Sequence, residues 1–381
     1  MRVRIATLNT WGLPSPLSEQ PLARMAEIAR RLPGLGLDVV AFQELWTRGA
    51  RRVLREACAA EGLVHTWSTR ADYGGSGLFV LSRHPIASAR FQPFSVRGYA
   101  ERVDHGDYYG GKGFVQLELA HPEGRFSLLT THLHARYGSD VESEYTPQRV
   151  AQIVQLSHAL WPAALPTVAV GDFNFTDRHD EHALLTGLSR LRDAALELGD
   201  PQATTLARNP YRGDLKPDRR IDYVFVRDGA GARVRPLASR RVLDEVFELR
   251  GRPASVSDHA GLVADVEIVP GPGRDLTPPD ADTVARAGAW LQRGRAGAAR
   301  RREEARAYAG VGVAAAAALA LAPSRTPALS RRRLLRGGLQ ALALLAVPPS
   351  LGLSVFSEVL EPDEIRAFDD LSATLLGRRS A

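Results

Sequence analysis

The sequence holds a single cysteine, Cys58, so no disulfide can close within the chain. A reducing compartment fits that usage. The first residues, MRVRIATLNTWG, lack the apolar core of a secretory leader, so the expected location is cytoplasmic or membrane-associated. Lysine is nearly absent: Lys112 and Lys216 are the only two, against abundant arginine. Asparagine is equally sparse, at Asn9, Asn174 and Asn209. A one-signed charge is also missing from most of the chain. Residues 280–381 carry 15 Arg/Lys and 10 Asp/Glu, while the first 279 carry 34 and 33. A nonspecific duplex binder usually bears a basic stripe on its binding domain. The near balance speaks against nucleic acid as partner without excluding it. Nothing in the sequence speaks to oligomeric state.

What is present is a folded composition, 44% hydrophobic and 24% charged, in 381 residues. Short apolar runs read as strands at 3–9, 38–42, 77–82, 113–120, 126–134, 167–175, 219–227 and 259–269. Residues 20–32 and 147–160 have helical spacing. Many strands with few helices predict an α/β fold of two sheets packed face to face with helices outside. A Pro/Gly-rich stretch at 271–282 reads as a linker. It divides a catalytic domain, 1–270, from a helical tail, 283–381.

Polar residues gather at the strand ends. Asn9 follows the first strand and Glu44 the second. Asp172 and Asn174, in GDFN, point to one side of an extended backbone. That spacing suits a carboxylate and an amide converging on a phosphate and its attacking water. Asp258 and His259 precede the last strand. A histidine with a carboxylate partner suits a general base, and Asp222 in RRIDY is the candidate partner. His132, in TTHLH, suits a cationic donor to a phosphoryl oxygen, and His134 would share its face. Each residue alone also reads as an ordinary turn, cap or surface group. A hard divalent cation such as Mg²⁺ takes one or two carboxylates and keeps several waters, which this dispersed set allows.

In order, LNTWG, QE, TH, GDFN, RIDY and SDH resemble the signature of the endonuclease/exonuclease/phosphatase superfamily, closest to its neutral sphingomyelinases. The resemblance runs from residue 5 to about 265. It implies a four-layer α/β/β/α sandwich of two mixed sheets. It implies Glu44 as main metal ligand, with Asn9 beside it and Asp258 in the metal position or just behind it. Mg²⁺ is the implied cofactor, with Mn²⁺ a substitute. Asp172 and Asn174 would orient water and bind phosphate, His259 would act as base with Asp222 behind it, and His132 would stabilise the transition state. The implied reaction is in-line attack of water on phosphorus in a phospholipid head-group ester. A nuclease or soluble phosphatase of the same superfamily is the alternative.

The segments LNTWGLP, GSGLFVLSRHPI (75–86), HGDYYGGKGFV (105–115) and THLHARY (131–137) resemble the sphingomyelinase branch. In the third, Asp107 and Lys112 match a pair that switches between mutual pairing and substrate engagement in mammalian members. On the tail, the apolar runs 309–322 and 337–356 suggest a membrane-associating hairpin, which the resemblance also implies for some members. The first run is short of a span and the second contains Pro348 and Pro349. A soluble helical pair packed on the catalytic domain is the other reading.

Overall fold

The computed structural model describes residues 1–70, 75–102, 104–137, 144–161, 164–212, 216–273, 277–325 and 333–377. Residues 274–276 of the expected linker and 326–332, between the two apolar runs of the tail, lie outside the described residues.

One six-stranded sheet has the order β11-β14-β1-β2-β4-β3. Its strands are β1 (Arg2–Asn9), β2 (Val39–Gln43), β3 (His65–Ser68), β4 (Phe79–Ser82), β11 (Ala232–Val242) and β14 (Gly261–Pro270). The other has the order β5-β6-β7-β8-β10-β9. It comprises β5 (Ile86–Pro93), β6 (Gly113–His121), β7 (Gly124–His132), β8 (Thr167–Asp172), β9 (Arg192–Asp193) and β10 (Asp222–Arg227). A small hairpin, β12 (Phe247–Leu249) and β13 (Arg252–Ala254), stands apart. Both sheets mix parallel pairs, β1–β2 and β7–β8, with antiparallel ones.

Three apolar clusters make the layers. Between the sheets, Ile5, Val39 and Val80 meet Leu117, Leu128 and Val170. On the outer face of the first sheet lie α1 (Pro21–Arg31) and α2 (Arg48–Ala59), burying Met25, Ile28 and Leu54. On the outer face of the second lie α3 (Thr146–Leu160) and α4 (Asp180–Ser189), with Val150, Val154, Leu184 and Leu188 buried. A short helix, α5 (Ala194–Glu197), follows β9. β2 is buried on both faces, which explains its unbroken apolar run.

The tail begins with α6 (Ala281–Arg325), one helix of 45 residues, on the order of 70 Å long at 1.5 Å per residue. α7 (Arg333–Val355) runs back along it, and a π-helical turn (Phe356–Leu360) leads into α8 (Glu361–Gly377). Pro348 and Pro349 are accommodated inside α7. Val284, Ala287 and Leu291 of α6, with Phe368, Leu371 and Leu375 of α8, belong to the same buried cluster as α3 and α4. The base of the tail is thus part of the sandwich's outer layer.

Candidate active site

Strand register assembles the site. In the second sheet His132, Asp172 and Asp222 are cross-strand neighbours on β7, β8 and β10. In the first, Asn9 ends β1 beside Gln43, and Glu44 follows at φ 55°. Asn174 also adopts φ 54°. Two non-glycine residues in the left-handed region at one rim are backbone strain of the kind that collects at functional sites. Gly171 at φ 144° is needed for a separate reason, since a Cβ there would collide with the Thr131 carbonyl of β7.

Side chains cross between the sheets here. Asn9 Nδ2 donates to Glu44 Oε1 at 2.9 Å and to Asp172 Oδ2 at 3.0 Å. Its Oδ1 accepts from the Trp11 amide at 3.0 Å. Asn9 therefore ties two carboxylates together through its amide nitrogen. Its place beside Glu44, expected from the sequence, is thus an amide nitrogen facing the carboxylate, with its oxygen turned to Trp11. His259 Nδ1 lies 2.8 Å from Asp222 Oδ2, and its Nε2 lies 3.9 Å from Asp172 Oδ2. Arg220 bonds Asp177 and Asp193, which leaves Asp222 to His259. Asn174 donates through Nδ2 to the Leu133 carbonyl at 3.0 Å, and its amide bonds Asp172 Oδ1.

Lys112 is enclosed. Its ammonium pairs with Asp107, donates to the Leu133 carbonyl at 2.8 Å, and lies 3.0 Å from His132 Nε2. Lysine only donates, so His132 Nε2 accepts and the ring proton sits on Nδ1. That Nδ1 is buried without a partner among the described residues. Burial, then the Lys112 charge, pushes the His132 pKa well below its usual value. Both effects oppose the cationic form expected of His132 while Lys112 stays paired with Asp107. His134 points elsewhere, stacking on Tyr145 at 4.0 Å with Nδ1 3.5 Å from Asp107.

Electrostatics divides the site in two. Burial opposes a charged His259, but Asp222, Asp258 and Asp172 outweigh it and raise its pKa well above the usual value. Burial, then Asp222, raises the pKa of Asp172 to about 7, against His259 and the Asn9 hydrogen bond. Burial, then Asp258, raises that of Glu44. Glu44 and Asp258 are hard oxygen donors that repel each other. The nearby ammonium is spent on Asp107 and the imidazole on Asp222. That donor set fits a divalent cation such as Mg²⁺. Ligand atoms of Asp172, Asp222 and His259 also lie within 4.8 Å of one another. The short His259–Asp222 hydrogen bond turns two of those atoms toward each other.

Two arginines escaped the reading of the sequence. Arg24, on α1, is fully buried and donates to the carbonyls of Glu19, Thr10, Val256 and Trp11. It clamps the loop after Asn9 to the segment before Asp258. Arg212 has a buried Nη1 without a hydrogen bond among the described residues, and the Asp258 charge opposes the fall in its pKa that burial causes. Neither lies in a motif, and arginine is too common in this chain for its presence alone to signal a role.

A mixed-sheet α/β sandwich with carboxylates, an asparagine and a His–Asp pair at one rim is the architecture of a phosphoesterase-type fold. The chain belongs to the Endonuclease/Exonuclease/phosphatase family, which it matches over residues 6–259. It is 28% identical over 276 residues to a protein named putative neutral sphingomyelinase from Drosophila melanogaster, covering 70% of this chain and 61% of that one. It is 30% identical over 283 residues to human sphingomyelin phosphodiesterase 2, covering 70% and 65%. Similarity to the inositol phosphosphingolipids phospholipase C of Schizosaccharomyces pombe is 30% over 200 residues, covering 51% and 46%. The chain thus spans less than two thirds of the length of these relatives. Among solved structures, sphingomyelinase C from Streptomyces griseocarneus superposes with a TM-score of 0.55 at 22% identity, covering 70% of this chain and 99% of that one. The D. rerio TDP2 complex with a single-stranded DNA product gives 0.56 at 20%, with the same coverage. A magnesium-bound beta toxin mutant from Staphylococcus aureus gives 0.51 at 17%, covering 69% and 99%.

Proposed function

We propose that this chain is a metal-dependent phosphodiesterase that releases the phosphorylated head group of a sphingomyelin-like phospholipid. One observation carries the reading: residues spread over some 250 positions meet at one rim, where Asn9 bonds Glu44 and Asp172, Asp222 bonds His259, and His259 Nε2 comes within 3.9 Å of Asp172 Oδ2. The names of the sphingomyelinase relatives support the lipid substrate.

In this mechanism Asp222 holds the Nδ1 proton of His259, leaving Nε2 to take a proton from water. A water bonded to both Nε2 and Asp172 Oδ2 fits beside those atoms, given their 3.9 Å separation. Asp172 aims that water, and Asn174, now held by the Leu133 carbonyl, would turn its amide to the phosphate. A divalent cation held by Glu44 and Asp258 would neutralise the phosphoryl oxygens and supply the positive charge that lets His259 shed its own proton. Lys112, once released from Asp107, would add a second cation beside His132.

The substrate is delivered by a membrane, and the hairpin of α6 and α7 is the contact. Its packing is inside out. Small residues face inward: Ala309, Ala316, Ala343 and Ser350 are buried, and a Cβ on Gly312 would collide with Ser350. Large apolar residues face outward, with Leu344 72% and Leu345 71% exposed beside Val311, Val313, Leu342 and Leu351. A hairpin in water does the reverse, whereas small-residue interfaces with apolar exteriors suit lipid. Both helices are long and apolar enough to cross a membrane.

Purified full chain with Mg²⁺ should release phosphocholine from sphingomyelin vesicles, and a chelator should abolish the release. Cleavage of plasmid DNA or a soluble phosphomonoester, with every phospholipid intact, would overturn the lipid assignment in favour of a nuclease or phosphatase.

A further inference from the structure

Asn209, one of the three asparagines in the chain, plays no part in the mechanism above, yet it is buried and fully engaged. Its Nδ2 donates to the Ser257 carbonyl at 2.8 Å, and its Oδ1 accepts from the Tyr211 amide at 3.0 Å. The Arg212 amide donates to the Asn209 carbonyl at 3.0 Å, which closes a turn over 209–212. Two sides of the site hold this turn. Ser257 directly precedes Asp258, and Tyr211 packs on Trp11, two residues after Asn9, with ring centroids 5.0 Å apart. The buried Arg24 guanidinium lies 4.8 Å from the Trp11 ring and 5.7 Å from that of Tyr211. Upstream, the Thr204 carbonyl accepts from the Ala260 amide at 2.7 Å, and its hydroxyl accepts from the Asp222 amide at 3.2 Å. The segment 204–212 is thus a wall of the site, fastened beside β1, β10 and β14.

Arg212 is the cation of this wall. It is half-buried, and its Nη1 is buried without a hydrogen bond among the described residues. Arg24, Arg149 and Arg220, by contrast, are buried on carbonyl or carboxylate acceptors. The Asp258 charge acts on Arg212 more strongly than that of Arg219 or Asp218. A buried donor without an acceptor is a cost that folding does not explain.

We propose that Arg212 is a catalytic residue that binds a non-bridging oxygen of the substrate's phosphodiester. This deepens the phosphodiesterase reading above and rests on it. A guanidinium fork matches phosphate oxygens and stays charged when half-buried. Asp258 holds the guanidinium in its field without taking its donors. Lys112 and His132 stand on the β6–β7 side of the rim and Arg212 on the Asp258 side, so the two cations address different oxygens. Charge on those oxygens grows as water adds to phosphorus. The contact therefore strengthens in the transition state and shows in kcat.

The test uses the full chain with Arg212→Ala, Arg212→Lys and Arg208→Ala. The last is a control from the same segment, an exposed side chain paired with Asp244. Hydrolysis of a soluble chromogenic phosphodiester is measured at saturating Mg²⁺. Inorganic phosphate binding with Mg²⁺ present is followed by calorimetry, Mg²⁺ affinity by titration and folding by thermal melting. Arg212→Ala should lower kcat about 10²–10³-fold and weaken phosphate binding roughly tenfold. Its melting temperature should stay at or above that of wild type, because no bond is lost. Arg212→Lys should recover part of the rate, and methylguanidine, but not equal sodium chloride, should restore part of it to Arg212→Ala. Arg208→Ala should match wild type. Wild-type kcat and phosphate affinity in Arg212→Ala overturn the proposal. So does tighter Mg²⁺ binding as the only change, which marks Arg212 as a counter-charge to Asp258. A lost rate that comes with a lower melting temperature and resists methylguanidine marks a structural role and also overturns it. Failure of the phosphodiesterase reading shows separately, as absent hydrolysis in wild type, and phosphate binding alone then decides whether Arg212 holds the anion.

Discussion

At the residue scale, the candidate chemistry depends on which atom each polar group turns toward its neighbours. His259 offers Nε2 because Asp222 takes Nδ1. Replacing His259 with Ala should lower the rate of phosphodiester hydrolysis by about 10²–10⁴-fold with folding preserved, measured as kcat on a soluble substrate beside circular dichroism. Glu44→Ala should instead lower the apparent affinity for Mg²⁺, read by metal titration as well as by rate. Asp107 and Lys112 form a buried pair whose halves depend on each other. Asp107→Asn leaves an ammonium without its counter-charge, so thermal melting should show a destabilisation of about 3–5 kcal/mol. Substitution of both members by apolar residues should cost less than the single change. A double-mutant cycle on the melting temperature measures that difference.

At the element scale, the tail is joined to the sandwich by both apolar and charged contacts. Phe368 on α8 is fully buried against Gly294 of α6 and Pro147 of α3. Phe368→Ala should destabilise by about 3–5 kcal/mol, seen in chemical denaturation. Arg301 lies 3.8 Å over the Tyr99 ring and bonds Glu361 and Glu364. Burial raises the Glu361 pKa to about 7, against the pull of Arg301 and with the push of Glu364. A carboxyl whose folded pKa is raised carries no penalty below its unfolded pKa. The penalty grows as pH climbs through that value toward 7 and is complete above it. Docking of α8 should therefore tighten between pH 8 and pH 5. Hydrogen exchange of α8 amides should slow more than the intrinsic pH effect explains, and Glu361→Gln should flatten the difference.

At the scale of the whole molecule, the tail divides into a base that belongs to the core and a tip that does not. Cutting the chain after residue 275 would strip Val284, Leu291, Phe368 and Leu371 from the cluster on α3 and α4. That truncation should yield an aggregating or low-melting protein, seen by light scattering. Arg306 and Glu358 pair across the two helices where the apolar tip begins. Replacing residues 309–355 by a short turn between them should therefore leave melting temperature and soluble-substrate activity near wild type. Flotation with vesicles and hydrolysis of bilayer lipid should fall together.

Much of this was legible beforehand, for definite reasons. Strands such as β2 and β8 announce themselves because burial on both faces demands unbroken apolar runs. The carboxylates and His259 were found because strand ends are where a sandwich presents side chains. Helix α2 was missed because RGARRVLREACA shows few apolar residues, and its buried face is only Ala50, Arg51, Leu54 and Cys58. β3, β5 and β11 were missed because edge strands keep polar, exposed residues. The short apolar run 309–322 concealed a helix of 45 residues, since Arg-rich and Ala-rich stretches both propagate a helix without sharing a hydropathy pattern.

Periodicity and the order of motifs determined the sheets, the family and the residues of the site, because those features are local or nearly so. Only the tertiary structure decided that Asn9 presents its nitrogen to two carboxylates and that His132 packs against the Lys112 ammonium. It alone turned the hairpin's large apolar residues outward. Each of these depends on which atoms distant segments bring within about 3–4 Å, and no local pattern encodes that.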